Sequence, residues 1–482
     1  SVVNGPITFT PDANPLIGPA HGVPNAWLLT GSSMGVMEGG GAGWFLAHWR
    51  THGAPPMDAL AVDSRRFGAW AGRDYRVAKA VECFGLQFGV HYPFEERRVG
   101  RDLHHSPLHD HMLARGAVMG FAHGTERPNW FSDKPGDVAH ESFRRTNWFD
   151  AVAREVDAAA NRVALADLSV FSKFDVTGTD TFPFLNALGA NRPPRPGRIG
   201  LTHVLTPAGG VASEFTVTVL SAQHAYLTSA AASEEMDLDL LNSRAAPFDV
   251  TVRNITRERT IIGVMGPHAR MLLAKLTSAD LGAGLPWLTA QEIDVAERHV
   301  IALRVSYVGE LGWELHMARN DAVAIFDALE AAGKPLDLGF YGAYAAQSMR
   351  LEKGYRAWGG DLTTERTPLE TGLDSFVKTE GRLFTGRDAM LAKAQPWAMV
   401  LLDIDTSDVD PFYAHAVFAD GRPVGIVTSG AFGHRTRKTL ALAFLREPGL
   451  REGLQVKILG KMRAARILDV PPYDPTNERL KA

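Results

Sequence analysis

The chain has 482 residues, too many for one ordinary hydrophobic core, so about two to four domains are expected. A hydrophobic fraction of 45% with 22% charged residues fits a water-soluble globular protein, and a formal net charge of -4 gives no basic footprint for nucleic acid. Cys83 is the sole cysteine, which excludes an internal disulfide and fits a reducing compartment, the cytoplasm or, in a eukaryote, the mitochondrial matrix; no apolar run reaches the length of a membrane span.

Ser1 stands where an initiator Met would, and structured-looking text begins almost at once, so the chain reads as a fragment or a processed product. Pro11 to Pro15 is turn chemistry. Ala26 to Thr30 predicts a short strand, broken by Gly31-Ser32-Ser33, and Gly35 to Arg50 predicts a helix carrying Gly39, Gly40, Gly41 and Gly43. Glycines weaken a helix, so this density implies close packing against the backbone. A helix start of this kind can hold a phosphate, but Trp44 stands where a G-x-G-x-x-G motif needs its third glycine, and tight packing is the simpler reading.

Residues 69 to 123 read as a small linking domain. It carries a cluster of His104, His105, His109 and His111, of which the last three are metal ligands by type, yet no recognisable ligand spacing completes them and Pro107 interrupts any common helix face. A solvated linker is the simpler reading there.

From Asn129 onward strands and helices alternate. Val163 to Leu168 and Phe174 to Val176 predict strands; Asp180 predicts a cap for a helix burying Phe182, Leu185 and Leu188. Phe215, Val217 and Val219 alternate with threonines in a half-buried strand, and Ile261 to Met265 and Ile301 to Tyr307 predict two more. Pro267 suits the first position of a helix, Asn320 predicts a cap for a helix bearing Val323, Phe326 and Leu329, and Tyr344 to Glu352 predicts a helix ended by Gly354. Beyond Pro396 short strands separated by Gly and Pro (Val400 to Ile404, Ala416 to Phe418, Val424 to Thr428, Leu440 to Leu445, Val456 to Leu459) predict a small barrel or sandwich. The fold class is α+β, multidomain.

Two acids stand out. Glu214 follows the Gly209-Gly210 turn at the head of a buried strand; on spacing alone it reads first as an exposed hairpin acid. Tyr307 to Glu314 combines an aromatic ring, two glycines and two acids, a set able to stack on a flat heterocycle and accept its N–H groups, or to form an ordinary hairpin. The Arg and Lys residues of Arg350 to Arg356 read as a local salt-bridge network.

Ser348-Met349-Arg350-Leu351-Glu352-Lys353-Gly354-Tyr355-Arg356-Ala357-Trp358-Gly359, with Asp361-Leu362-Thr363 and Thr367-Pro368-Leu369-Glu370, strongly resembles the aminomethyltransferase (glycine-cleavage T-protein) family, in the form fused to dimethylglycine and sarcosine dehydrogenases. Asp167-Leu168-Ser169, Gly263 to Pro267, Ser306 to Glu314, Phe384 to Arg387 and Gly425 to Gly430 extend the resemblance over about residues 125 to 475. Asn4 to Asp12 and Gly31 to Gly43 are similar to the closing segment and last flavin-contacting turn of the oxidoreductase in such enzymes, and Tyr92-Pro93 with Glu95-Glu96 to its connecting domain. The resemblance implies four parts: residues 1–68 an FAD-oxidoreductase remnant, 69–123 a linking domain, 124–383 a folate-binding domain and 384–482 a β-barrel.

In that family a flavin oxidises a methylated amine to an iminium, and tetrahydrofolate captures the one-carbon unit as methylene-tetrahydrofolate. The resemblance places the catalytic acid on Glu214 and the pterin-binding pair on Tyr307 and Glu314, and leaves Gly31, Ser32, Ser33 and Gly35 as residual flavin contacts. Tetrahydrofolate is the implied cofactor; FAD belongs to the full-length enzyme and is not expected to be retained by this chain. The implied partners are a methylated amine and folate, without nucleic acid or membrane, and with an electron acceptor that the residues do not identify. Two departures are notable: Glu214 is one methylene longer than the family's Asp, and Ala346 occupies the place of an Arg found in stand-alone T-proteins. A flavin-independent folate enzyme and a non-catalytic folate-binding module are the alternative readings.

Overall fold

The computed structural model describes residues 5–447 and 449–482. Asn4, the first residue of the segment resembling the flavin fold, lies outside the described residues, as does Ser1.

The N-terminal portion is small. Leu16–Pro19 pairs antiparallel with Trp27–Thr30, and the helix Gly35–His52 packs Phe45 and Trp49 onto Ile17. The close packing expected at the helix glycines is absent: a Cβ added at Gly39, Gly40, Gly41 or Gly43 would meet nothing within 4 Å among the described residues. The glycine that does make close contact is Gly31, at φ 80°, where a Cβ would lie 2.6 Å from the Thr10 methyl. The helix Arg73–Leu86, the short helix His109–Ala114 and the hairpin Ala117–Ala122/Thr125–Phe131 follow.

Two antiparallel sheets form the centre. In the first the order is Thr251–Asn254, Ser172–Thr177, His224–Ser229, Val211–Ser221, Arg198–Leu205. In the second it is Ala290–Val295, Arg298–Leu303, Gly312–Ala318, Arg259–Met265, Ala164–Asp167, with Gly339–Phe340 added parallel at the edge. Alternation does the sorting: Ser213, Phe215 and Val217 turn to the core, whereas Glu214 and Thr216 turn the other way. The second strand predicted to end at Tyr307 stops at Leu303, because the chain turns away to build the loop before Gly312. Helix Thr181–Leu188 buries Thr181, Phe184, Leu185 and Leu188, while Phe182 is exposed; the stripe at spacings of three and four excludes it. Asp180 supplies no side-chain cap there and instead accepts the Asp249 amide. Asp321 rather than Asn320 is the cap position of Ala322–Gly333, and Pro267 lies ahead of the helix Ala269–Leu273.

The C-terminal strands close a six-stranded barrel, adding Lys461–Leu468 to those legible in the sequence. Arg350 to Arg356 ties the barrel to the sheets. Asp361 accepts from Arg350 at 2.7 Å and from Ser429 at 2.7 Å, and the fully buried Glu352 accepts from Arg435 at 2.5 Å. That segment is the salt-bridge network read from composition. No helix among the described residues is long and apolar enough to cross a membrane.

Candidate active site

A cavity of about 710 Å³ opens where the two sheets meet the N-terminal portion. Glu214 reaches it from one sheet, Glu314 from the other, and Tyr307 from the second sheet's loop between Leu303 and Gly312; Trp70, Phe121 and His123 also line it. Glu214 and Glu314, a hundred positions apart in the sequence, are thus brought to one cavity.

Glu214 is placed by its hairpin. Gly209 sits at φ 86°, and a Cβ on Gly210 would lie 1.8 Å from the Thr364 carbonyl oxygen, so the turn admits only glycine against the 363–366 loop. The Val211 amide donates to Thr363 O at 3.1 Å and to Arg366 O at 3.0 Å, fixing the strand that follows. Directly across the ladder from Glu214 stands His203. Its Nε2 donates to Glu214 Oε2 at 2.8 Å, with the His203 side chain wholly buried and the Glu214 side chain 21% exposed. His203 Nδ1 is buried and has no partner among the described residues. One carboxylate oxygen is therefore anchored while the group as a whole remains open to the cavity.

Glu314 is built in a parallel way. His316, two residues along the same strand, donates from Nε2 to Glu314 Oε2 at 3.2 Å, and its Nδ1 meets the Tyr226 hydroxyl at 2.9 Å. His316 and Tyr226 are both fully buried. Burial holds the His316 imidazole below its usual pKa, against the opposing pull of Glu314, and pushes the Tyr226 phenol well above its own. A neutral imidazole with its proton on Nε2 fits both contacts.

Tyr307 is 41% exposed, donates to Arg356 O at 2.8 Å and stacks on Tyr355 with centroids 6.1 Å apart. Its ring is held as a flat wall of the cavity. Gly309, at φ 81°, would place a Cβ 2.5 Å from the Lys353 side chain, which explains the glycine after Tyr307.

His203, His316 and Tyr226 were not singled out from the sequence. The register that places His203 opposite Glu214 follows from the Gly209-Gly210 turn, and the two-residue step from Glu314 to His316 is the strand period; those were the available signals. Ala346 lies away from the cavity, half-buried against the packed cluster of Val152, Tyr341 and Met349. Gly31, Ser32, Ser33 and Gly35 lie outside this cavity. Gly31, Ser32 and Ser33 precede the helix Gly35–His52, whose cap position Met34 provides no side-chain hydrogen bond.

The GCVT N-terminal domain model matches residues 108–381, the glycine cleavage T-protein C-terminal barrel domain matches 398–474, and the FAD dependent oxidoreductase central domain matches 52–106. The mitochondrial dimethylglycine dehydrogenase of Homo sapiens is 40% identical over 100% of this chain and 57% of its own length. The mitochondrial sarcosine dehydrogenase of Mus musculus is 30% identical over 100% of this chain and 58% of its own length. The chain therefore spans less than three fifths of these relatives. The crystal structure of the glycine cleavage system aminomethyltransferase T from Bartonella henselae shares the fold with a TM-score of 0.67, at 22% identity over 77% of this chain and 98% of that one.

Proposed function

This chain belongs to the glycine-cleavage T-protein family, in the branch of the dimethylglycine and sarcosine dehydrogenases, and from that premise we propose that it carries the folate-dependent half of an N-demethylating amine dehydrogenase. Its reaction is transfer of the one-carbon unit of an oxidised methylated amine to tetrahydrofolate, giving 5,10-methylenetetrahydrofolate as the bond to the amine nitrogen breaks and the demethylated amine leaves with the protons lost from the folate nitrogens. The single observation that carries the reading is the convergence of Glu214, Tyr307 and Glu314 on one cavity. The cavity has the size of a small-molecule site, with one flat aromatic wall and two partly exposed carboxylates.

On this reading Glu314 accepts the N–H groups of the pterin, Tyr307 packs against it, and Glu214 takes the proton released as the folate nitrogen bonds to the one-carbon unit. The demand on the protein is positioning plus one proton acceptor. The longer arm of Glu214, relative to the family's Asp, is compensated by His203, which fixes where its carboxylate lies. Flavin, when present in the longer enzyme, supplies the oxidation of the amine. We extend the proposal to Gly31, Ser32, Ser33 and Gly35 as residual flavin contacts too few for this chain to retain FAD alone, to the four-part division at 68, 123 and 383, and to the mitochondrial matrix or cytoplasm as its compartment.

The test is calorimetric and kinetic. The chain should bind a reduced folate and accelerate methylenetetrahydrofolate formation from formaldehyde and tetrahydrofolate above the uncatalysed condensation. Glu214→Gln should retain binding and lose that acceleration. Unchanged acceleration in the variant removes Glu214 from the role, and a folded chain giving no heat with reduced folate removes the function.

A further inference from the structure

The histidine-rich stretch is not a solvated linker. His109 opens the helix His109–Ala114 and is 8% exposed, with its Nδ1 buried and unpartnered among the described residues. His105 stacks on it, ring centroids 3.8 Å apart and planes 2° from parallel. The third member is Asp102, three residues before His105, whose Oδ1 lies 3.4 Å from His105 Nε2. One ligand atom from each of the three lies within 4.8 Å of the others.

We propose that Asp102, His105 and His109 form a binding site for a single zinc-class divalent cation. Two imidazole nitrogens and a carboxylate oxygen are the donor set of a borderline ion such as Zn²⁺. Ligands about 2 Å from a tetrahedral ion stand about 3.3 Å from one another, the separation already present between Asp102 and His105. The remaining convergence, from separations within 4.8 Å, requires the partly exposed His105 ring to turn out of its stack on His109 so that the two in-plane lone pairs meet at the ion. Asp102 faces solvent, so water completes the coordination.

The backbone around the trio is held by hydrogen bonds of its own. Asp102 sits in the left-handed region at φ 60°, a conformation that Asp tolerates, and its amide donates to Glu126 Oε1 at 3.1 Å. Glu126 is in turn held by Arg101 Nε at 2.7 Å. His105 and His109 are joined by a turn in which the His109 amide donates to Ser106 O at 3.2 Å and the Leu108 amide to Ser106 Oγ at 3.1 Å, with Leu108 and Met112 buried below.

The location gives the site a use. The match to the oxidoreductase central domain ends at residue 106 and the match to the T-protein domain begins at 108. Asp102 and His105 fall in the first match and His109 in the second, so a bound ion would tie the end of one matched segment to the start of the other within the linking residues 69–123. The trio lies apart from the Glu214 cavity: none of its three residues lines it.

The experiment is titration of the chelator-treated, tag-free chain with ZnCl₂ by calorimetry, followed by Co²⁺ loading and its visible absorption. One equivalent of zinc is expected, with tetrahedral Co²⁺ bands. Asp102→Asn and His105→Gln, both at partly exposed side chains, should each weaken binding at least about tenfold, since loss of a mere outer-shell partner already costs that much. His299→Gln, in the exposed His299–Asp294 pair, should leave it unchanged. No zinc heat, or zinc binding that survives both Asp102→Asn and His105→Gln in chains that still bind reduced folate, overturns the proposal.

Discussion

His203→Leu isolates the contact that sets Glu214. The substitution removes one donor to a charged acceptor, a bond contributing about 1.5–3 kcal/mol. It also removes a buried, unpartnered Nδ1 whose desolvation costs about 1–3 kcal/mol, and it leaves Glu214 at a 21% exposed position where water can solvate it. The two terms oppose, so global stability should change by no more than about 2 kcal/mol. The rate should not be spared. Freed from His203, the Glu214 arm explores several rotamers, and a misplacement of about 1 Å in a positioned proton transfer costs about 100-fold. The assay is the acceleration of methylenetetrahydrofolate formation at saturating tetrahydrofolate, alongside chemical denaturation and folate calorimetry. A loss of about 100-fold with unchanged folate affinity is expected. A loss below about threefold, or one fully matched by weaker folate binding, refutes the positioning role of His203.

Glu314→Gln should weaken reduced-folate binding by about 10- to 150-fold, the worth of a hydrogen bond to a charged group, with little effect on the bound-state rate; calorimetry in which the affinity is unmoved counts against Glu314 as a ligand contact. Arg127 lines the same cavity and has no carboxylate partner among the described residues, unlike Arg66, which is tied to Asp12 at 2.7 Å. Arg127→Gln should therefore raise the dissociation constant of a carboxylate-bearing folate about tenfold, and equal affinity in the variant rejects that contact. Fully buried Glu155 accepts the amides of Phe131 at 2.6 Å and Gly342 at 2.8 Å, and burial pushes its carboxyl up to about 8. A raised folded pKa contributes stability that is present below about pH 4.5 and lost as pH rises to about 8. Wild type should therefore lose up to about 5 kcal/mol relative to Glu155→Gln across that window, and parallel pH–stability curves for the two proteins contradict it.

Much of this architecture is legible in the sequence because it depends on local periods. The barrel strands, the alternation at Phe215, Val217 and Val219, and the helix ended by Gly354 follow from spacing and turn chemistry. The pairs that complete the cavity depend instead on register between strands. His203 is eleven positions from Glu214 and Tyr226 is ninety from His316, and only folding makes them neighbours. The same limit hid Asp102, whose left-handed backbone turns it back toward His105. The glycines of Gly35–His52 differ for the opposite reason: a composition that permits close packing does not require it, and Gly39, Gly40, Gly41 and Gly43 meet no close neighbour among the described residues.

Glu214 and Glu314 have similar surroundings but differ in what lies behind the histidine. His203 ends in a bare nitrogen, whereas His316 is held by the Tyr226 hydroxyl at 2.9 Å. The second arrangement fixes the proton of His316 on Nε2 and so keeps Glu314 an acceptor, as a ligand anchor must be. The first leaves His203 with no second partner among the described residues, so only its contact with Glu214 sets its ring orientation. The difference predicts unequal consequences. Tyr226→Phe keeps the buried ring and removes only the hydroxyl, so His316 loses its tautomer preference and Glu314 its assured donor. Folate affinity should fall about three- to tenfold, the worth of one neutral hydrogen bond, while the rate at saturating folate stays within about twofold. A variant that binds folate normally but turns over slowly would reverse the assignment and make Glu314 the proton acceptor.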